Sequence, residues 1–269
     1  MLRSLPKLVN KAIRPLRKQE HEWFTGNFET FEEARAACTG YDEPSILHKV
    51  RAALLKVKNG EAVYERDSVI FDEVQYSLPL LTFLLYVASA SNNNLNILDF
   101  GGSLGSSYFQ NRKFLDRMQS VRWNIVEQPH FVACGKREFQ NETLRFFDTV
   151  DACVNATQPN ALLLSSVLPY LPYPYSTLQE ILAHKFEYIL IDRTPFFRTD
   201  LPDRLAIEHV PSHIYQAEYP AWFFNKNKFI SAMEAEYRLF ETMPANDKLQ
   251  LSGTNIDYLA MLFVRENHA

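Results

Sequence analysis

The sequence predicts an α/β protein with a doubly wound, mostly parallel sheet that follows a helical N-terminal region. From residue 95 onward, short apolar runs alternate with segments of helical spacing. This alternation is typical of a parallel sheet that is covered by helices on both faces. The last two apolar runs have no helix between them, so we expect an antiparallel strand pair at one edge of the sheet.

The first part of the chain, residues 1–20, is a basic segment with six Lys or Arg before its first acid. It lacks the continuous apolar run and the cleavage site of a signal peptide, so we expect a cytoplasmic protein. A basic amphipathic segment can lie on an anionic bilayer, which predicts weak peripheral contact with the inner membrane surface. Pro6 and Pro15 would interrupt a long helix in this segment.

Residues 21–94 are expected to form a helical cap. Apolar positions recur at helical spacing in residues 31–38 and 45–60, and residues 77–90 form an apolar, helix-like stretch. The polar sequence SNNN then breaks the pattern. This break marks the boundary with the doubly wound domain, residues 95–269.

The doubly wound domain is expected to begin with five parallel strands. These strands are predicted at residues 95–100, 122–127, 144–147, 160–166 and 187–192. Helices are predicted at residues 108–119, 129–140, 175–185 and 225–236, and the closing strand pair at 237–243 and 257–265. The carboxyl ends of the parallel strands should share one edge, where doubly wound sheets bind their ligands.

Composition excludes several classes of function. The chain has 28 Lys and Arg against 32 Asp and Glu, so it lacks the basic excess of a nucleic-acid-binding protein. Its three cysteines have no C-x-x-C spacing and are expected to be buried, reduced thiols. The sequence has no tight cluster of His and carboxylate residues that would predict a metal site. It also has no run of about 18 apolar residues that would predict a membrane span.

A glycine-rich turn follows the first strand of the doubly wound domain. The chain has only eight glycines, yet Gly101, Gly102 and Gly105 fall within five positions, directly after Asp99 in the strand end. Such a turn lets main-chain N–H groups and a helix N-terminus approach a ligand closely. A purely structural tight turn is the alternative.

The spacing of the glycines narrows the choice of ligand. Both the G-x-G-x-x-G fingerprint of nicotinamide cofactors and the Gly-Lys-Ser/Thr of a P-loop are missing. An acid beneath the turn suits S-adenosylmethionine, which has no phosphate and carries cationic groups. Glu127 ends the next strand, 22 positions after Gly105, and would accept hydrogen bonds from both ribose hydroxyls.

The sequence resembles the class I S-adenosylmethionine-dependent methyltransferases. ILDFGGSLG is similar to their first motif and VEQ to their ribose-binding acid. More narrowly, the chain resembles a bacterial family associated with surface-polysaccharide gene clusters, in segments such as WFTGNFETFEEA, LLLSSVLPYLPYP and EHVPSHIYQAEYPAWFF. The resemblance implies a Rossmann-like fold, S-adenosyl-L-methionine as cofactor, and a sugar or surface-glycan precursor as acceptor. Ser103 replaces the middle glycine of the common motif, so we expect a differently shaped turn.

Four further residues are candidates for the cofactor site. Asp148 follows the third strand and could accept a hydrogen bond from the adenine amino group. Ser165 and Ser166 end the fourth strand and would face the cleft. Arg66 could hold the methionine carboxylate. The alternatives are a solvated loop acid for Asp148 and a surface salt bridge to a neighbouring acid for Arg66.

Residues 193–224 are expected to form a long lid loop over the acceptor pocket, because some thirty residues separate the fifth strand from the next predicted helix. Histidine has the pKa best suited to removing a proton from an acceptor hydroxyl. His209 is therefore the first candidate base, His213 the second and Asp192 the third. Both histidines could instead be hydrogen-bonded structural residues.

Two other classes of function fit part of the pattern. A nicotinamide-dependent sugar oxidoreductase would have a similar fold but needs the missing fingerprint. A non-catalytic glycan-binding or scaffold subunit could keep the fold with a degenerate cofactor pocket. The intact acids and glycines argue against that subunit.

Overall fold

The structure of the protein is a computed structural model that describes residues 22–38, 43–66, 68–211, 217–245, 251 and 253–266. The strands are β1 (Phe24–Phe28), β2 (Tyr64–Arg66), β3 (Val69–Phe71), β4 (Asn94–Phe100), β5 (Ser120–Val126), β6 (Leu144–Phe147), β7 (Ala161–Ser165), β8 (Tyr188–Phe197), β9 (Arg204–Val210), β10 (Ala217–Phe223), β11 (Tyr237–Pro244) and β12 (Ile256–Arg265). The helices are α1 (Phe31–Ala37), α2 (Glu43–Lys58), α3 (Leu78–Ala90), α4 (Ser106–Leu115), α5 (Pro129–Glu138), α6 (Val150–Thr157), α7 (Pro174–Leu182) and α8 (Lys226–Met233), with a short 3-10 helix at Leu168–Tyr170.

The central sheet contains seven strands in the order β11-β12-β8-β7-β4-β5-β6. Strands β4 to β8 are parallel, whereas β12 is antiparallel to both of its neighbours, β8 and β11. The predicted doubly wound, mostly parallel sheet with an antiparallel strand pair at one edge is therefore confirmed. The chain winds from β4 to β5 and β6, and then crosses to β7 and β8. The topological switch point consequently lies between β4 and β7.

Each face of the sheet is buried, because helices cover both sides. Five consecutive residues of β4, from Leu95 to Asp99, are buried. Alternate side chains of this strand enter different hydrophobic clusters: Ile97 packs with α2, α3 and α5, and Leu98 packs with α7 and α8. This two-sided burial explains the near-continuous apolar strands in the sequence.

The region expected to be a purely helical cap contains strands as well as helices. α1, α2 and α3 are helical as predicted, but β1 precedes them and the β2–β3 hairpin lies between α2 and α3. Helix α6, between β6 and β7, was also absent from the sequence prediction. Segment 1–20, with its predicted membrane contact, lies outside the described residues.

The prediction of a long lid loop at residues 193–224 is wrong in secondary structure. Strand β8 continues to Phe197, and β9 and β10 then form an antiparallel pair. β1 joins β9 on its other side, which gives a second, three-stranded sheet. Long-range pairing with β1 stabilises a segment that was predicted to lack regular structure.

Candidate functional site

The carboxyl ends of the parallel strands bring most predicted site residues to one edge of the sheet. The last residues of β4, β5 and β6 pair with one another. The residues that follow them, Gly101, Glu127 and Asp148, therefore emerge from adjacent strands. On the other side of β4, Ser165 of β7 pairs with Asp192 of β8. This edge includes the switch point, where a doubly wound sheet leaves room for a ligand.

The glycine turn has a left-handed backbone at three of its five residues. The φ angles are 70° at Gly101, 54° at Ser103 and 104° at Gly105. The Gly101 amide donates to the Val126 carbonyl at 2.9 Å, which ties the turn to the neighbouring strand. Helix α4 begins at the next residue, so its unpaired N-terminal N–H groups lie beside the turn.

Contacts inside the protein also require glycine in this turn. A Cβ atom on Gly101 would overlap the Val167 side chain, and one on Gly102 would lie 2.5 Å from Cγ of Asp99. At Gly105 the nearest atom would be Cδ2 of Leu144, at 3.2 Å. The turn is thus packed closely onto the strand ends and against the loop after β7.

Asp99 lies beneath this turn and is 1% exposed. The indole Nε1 of Trp123 donates to its Oδ2 at 2.8 Å. Burial raises the pKa of Asp99 to about 7; the Trp123 hydrogen bond opposes the shift, and the charges of Glu127 and Asp192 add to it. The carboxyl group supports the turn from below, and direct contact between Asp99 and a cofactor stays a prediction.

Glu127 and Asp148 differ in how firmly the protein holds them. Glu127 is partly buried and follows β5; burial raises its pKa, and a 2.9 Å hydrogen bond from the Gln128 amide opposes that shift. Asp148 is exposed and forms a 3.3 Å ion pair with Lys136. Of the two, Glu127 has the burial and position of a ligand-binding acid.

Asp192 joins three elements at the other side of the switch point. It is 1% exposed. Ser165 donates to its Oδ2 at 2.8 Å, and Ser77, which precedes α3, donates to its Oδ1 at 3.3 Å. The amide of Ser166 donates to the Asp192 carbonyl at 3.0 Å. This geometry favours a positioning role for Asp192 and Ser165, and the catalytic role of Asp192 stays a prediction.

Three of the eight left-handed non-glycine residues in the described part of the chain lie at this edge. Ser103 and Ser166 follow β4 and β7, with φ angles of 54° and 52°, and Arg193 lies within β8 directly after Asp192, with a φ angle of 48°. The other left-handed non-glycine residues of the described chain lie in the β2–β3 hairpin and in turns that precede strands. Each such conformation costs about 1–3 kcal/mol, and such residues cluster at functional sites.

Strand β2 brings Arg66 close to the start of α4. The preceding residue, Glu65, is 2% exposed and accepts a 2.9 Å hydrogen bond from the hydroxyl of Ser106, the first residue of the helix. The guanidinium carbon of Arg66 lies 5.6 Å from the ring centroid of Phe71. Glu65, rather than Arg66, makes the contact with α4, and binding of the methionine carboxylate by Arg66 stays a prediction. Glu65 was not selected from the sequence, because an acid beside an Arg is usually a surface residue.

His209 is held by hydrogen bonds on both ring nitrogens. Its Nε2 lies 2.7 Å from Oγ1 of Thr25 in β1, and its Nδ1 lies 2.8 Å from Oε1 of Glu218 in β10. This network joins the three strands of the second sheet. A catalytic role for His209 stays a prediction, and the observed contacts favour a structural role. His213 lies outside the described residues.

One acidic residue that sequence reasoning missed is Glu208, which precedes His209 and points to the opposite face of β9. It is 5% exposed and accepts a 2.8 Å hydrogen bond from the hydroxyl of Tyr170 in the loop after β7. Residues 204–210 (RLAIEHV) do not alternate between polar and apolar types, so no local pattern marked this acid as inward-pointing.

The described residues contain no group of three or more His, Cys, Asp or Glu side chains placed to hold a metal ion. None of the described helices has the length and apolar character needed to cross a membrane.

Comparison with known proteins gives distant structural similarities. No protein-family model matches the chain, and no curated protein matches it. Burkholderia thailandensis 1,6-didemethyltoxoflavin-N1-methyltransferase, solved with S-adenosylhomocysteine, is 15% identical over 85% of this chain and 92% of its own, with a TM-score of 0.45. The N-terminal domain of EvdMO1, solved with S-adenosylhomocysteine and D-fucose, is 14% identical over 84% of this chain and 98% of its own, with a TM-score of 0.46. Magnesium protoporphyrin IX methyltransferase from Synechocystis PCC 6803, solved with bound S-adenosylmethionine, is 10% identical over 85% of this chain and 99% of its own, with a TM-score of 0.45.

Proposed function

We propose that this chain is an S-adenosylmethionine-dependent methyltransferase whose donor binds at the carboxyl ends of β4 and β5. The observation that carries the proposal is the position of Glu127, a partly buried acid, beside the left-handed turn Gly101–Gly105 at the switch point. The turn offers main-chain N–H groups, and the acid offers an acceptor for a ribose diol. The turn lacks the spacing that a pyrophosphate requires.

The residues around this edge would hold different parts of the donor. Glu127 would accept hydrogen bonds from the ribose hydroxyls, and Arg66 would bind the methionine carboxylate. Asp148 would accept a hydrogen bond from the adenine amino group once its ion pair with Lys136 has opened. When bound, the donor supplies an electrophilic methyl group on a sulfonium. The buried carboxyls of Asp99 and Asp192 keep the turn and the strand ends in place.

The acceptor that we propose is a hydroxyl of a sugar or surface-glycan precursor, in the cytoplasm of a bacterium. This part is supported by the resemblance of segments such as EHVPSHIYQAEYPAWFF. The basic segment 1–20 would allow weak contact with the membrane where such precursors are assembled.

Isothermal titration calorimetry with S-adenosylhomocysteine and NAD⁺ tests the donor. We expect S-adenosylhomocysteine to bind with a Kd in the micromolar range, on the order of typical enzyme KM values, and NAD⁺ not to bind. Glu127→Ala should weaken binding by about tenfold or more, because charge-assisted hydrogen bonds to the ribose are lost. Glu142→Ala, an exposed acid before β6, is the matched control.

Each alternative function gives a different result. Saturable binding of NAD⁺ alone would indicate an oxidoreductase. No binding of either ligand at millimolar concentration would indicate a non-catalytic subunit.

A further inference from the structure

Three tyrosines and a buried glutamate lie close together where the second sheet meets the central sheet. The hydroxyl of Tyr170 donates to Oε2 of Glu208 at 2.8 Å. Tyr219 pairs with Glu208 across β9 and β10, and its ring meets that of Tyr170 edge to face, with centroids 5.4 Å apart. Tyr258 and Tyr170 both pack against one small hydrophobic cluster, and Tyr258 is close enough to interact electrostatically with Tyr170. Glu208 is 5% exposed whereas the three tyrosines are partly exposed, so the carboxylate lies beneath aromatic rings that reach the surface.

This tyrosine cluster (Tyr170, Tyr219 and Tyr258 with Glu208) lies beyond the carboxyl end of β7 and beside the last residues of β8. Tyr258 pairs with Pro195, three residues after Asp192 in β8. Tyr170 comes three residues after Val167, whose side chain occupies the space that a Cβ on Gly101 would need. The cluster and Glu127 are therefore on opposite sides of the glycine turn. An acceptor and a donor that bind side by side need this arrangement.

The chemistry of the cluster suits a polyol. Tyrosine rings pack against the C–H faces of a sugar ring, and their hydroxyls both donate and accept hydrogen bonds. Burial, and then the charge of Glu208, raise the pKa of Tyr170 well above its ordinary value. Tyr170 thus stays protonated and keeps donating to the carboxylate. His209 points away from the cluster and is paired with Thr25 and Glu218.

We propose that Glu208 accepts the proton of the acceptor hydroxyl during methyl transfer, and that the tyrosine cluster binds an acceptor of monosaccharide size. This proposal rests on the proposed function and adds the acceptor site and the base. The acceptor oxygen forms a bond to the methyl carbon while the bond from that carbon to sulfur breaks. The bonding electron pair stays on sulfur, which becomes a neutral thioether. The hydroxyl proton moves to the Glu208 carboxylate and from there to water.

Saturation-transfer NMR on the full chain with S-adenosylhomocysteine tests the acceptor site. The probes are D-glucose, D-galactose, D-mannose and D-fucose. We expect saturation transfer to at least one of them, and its loss in the double variant Tyr219→Phe/Tyr258→Phe, because two hydroxyls that contact the sugar are removed. Tyr173→Phe is the matched control, since Tyr173 is exposed and donates to Glu32 at 3.1 Å, as Tyr170 does to Glu208.

Methyl transfer from S-adenosylmethionine to the sugar that binds tests the base. Glu208→Gln should lower kcat by roughly 10²- to 10⁴-fold while the Kd of S-adenosylhomocysteine stays unchanged. Glu208→Asp should recover part of the rate, because it keeps a carboxylate. Tyr170→Phe, which leaves the carboxylate but removes its donor, should lower kcat by a smaller factor. Glu32→Gln is the matched control for Glu208→Gln, because Glu32 also accepts a hydrogen bond from a tyrosine hydroxyl, that of Tyr173.

The outcomes separate this proposal from the proposed function. If the wild-type chain binds S-adenosylhomocysteine but none of the four sugars shows saturation transfer, the acceptor site is wrong. If Glu208→Gln turns over like the wild type, the base is wrong. Should Glu208→Gln fail to fold, as judged by circular dichroism, a wild-type kcat in a folded Glu208→Ala variant would overturn the assignment. Failure of the wild type to bind S-adenosylhomocysteine would contradict the proposed function itself.

Discussion

At the residue scale, a carboxyl group is buried directly under the turn that we propose to hold the donor. Asp99 is 1% exposed, and its pKa is raised to about 7 from an ordinary value of 3.8. The folded protein therefore binds this proton more tightly than the unfolded chain does. The stability that the protonated group provides is present below about pH 4, and is lost as the pH rises through 7.

Asp99→Asn should remove this pH dependence. Asn is neutral and keeps an acceptor for the Trp123 indole, so the free energy of unfolding of the variant should exceed that of the wild type by up to a few kcal/mol at pH 8. The difference should shrink toward pH 4. Urea unfolding at each pH measures it, with Asp72→Asn, an exposed acid in the chain, as the control. If the free energies of unfolding of the wild type and the variant change with pH in parallel, Asp99 does not titrate between pH 4 and pH 8.

Gly101→Ala tests the packing of the glycine turn. A Cβ there would overlap Val167, at a φ of 70°. Gly60 has a similar φ of 75°, but a Cβ would meet nothing within 4 Å. We expect Gly101→Ala to weaken S-adenosylhomocysteine binding by more than about tenfold, and Gly60→Ala to leave it unchanged, since only the first displaces the turn. Adding Val167→Ala should restore part of the affinity in calorimetry. Equal affinities for Gly101→Ala and Gly60→Ala would contradict the proposed site.

The glycines and Glu127 could be selected from the sequence, because each follows an apolar run that predicts a strand. The burial of Asp99 and Asp192 could not. Their partners, Trp123, Ser165 and Ser77, come from other elements, and the contacts depend on how those elements pack.

At the element scale, the second sheet connects distant parts of the chain. β1 pairs with β9 about 180 positions later, and Thr25, His209 and Glu218 form one hydrogen-bonded network across its three strands. A partner this far away leaves no local signal. This is why residues 193–224 were predicted to be a loop.

His209→Ala tests whether this network is structural. Loss of two hydrogen bonds should destabilise the second sheet by about 1–3 kcal/mol. Amide hydrogen exchange in β1 and β9 should become faster, with no change in the Kd of S-adenosylhomocysteine. His184→Ala is the control, because His184 pairs with Asp151 at 3.3 Å elsewhere in the fold. Unchanged exchange together with a roughly 10²- to 10⁴-fold fall in kcat would instead support His209 as the base.

At the scale of the whole molecule, the sheet topology creates the candidate site. Strands β5 and β6 lie on one side of β4, and β7 and β8 on the other, so the carboxyl edge opens at the switch point. Alternating strands and helices predicted this topology and the edge. They could not predict that the cap region contributes β1 to the second sheet, or that Glu208 would face Tyr170, because both depend on tertiary contacts.

A crystal structure with S-adenosylhomocysteine tests the central claim most directly. We expect the ribose hydroxyls within hydrogen-bond distance of the Glu127 carboxylate, and the amino-acid end against Gly101–Gly105 and the start of α4. Ligand bound away from the carboxyl ends of β4 and β5, for example between α2 and α4 near Gln110, would contradict the account.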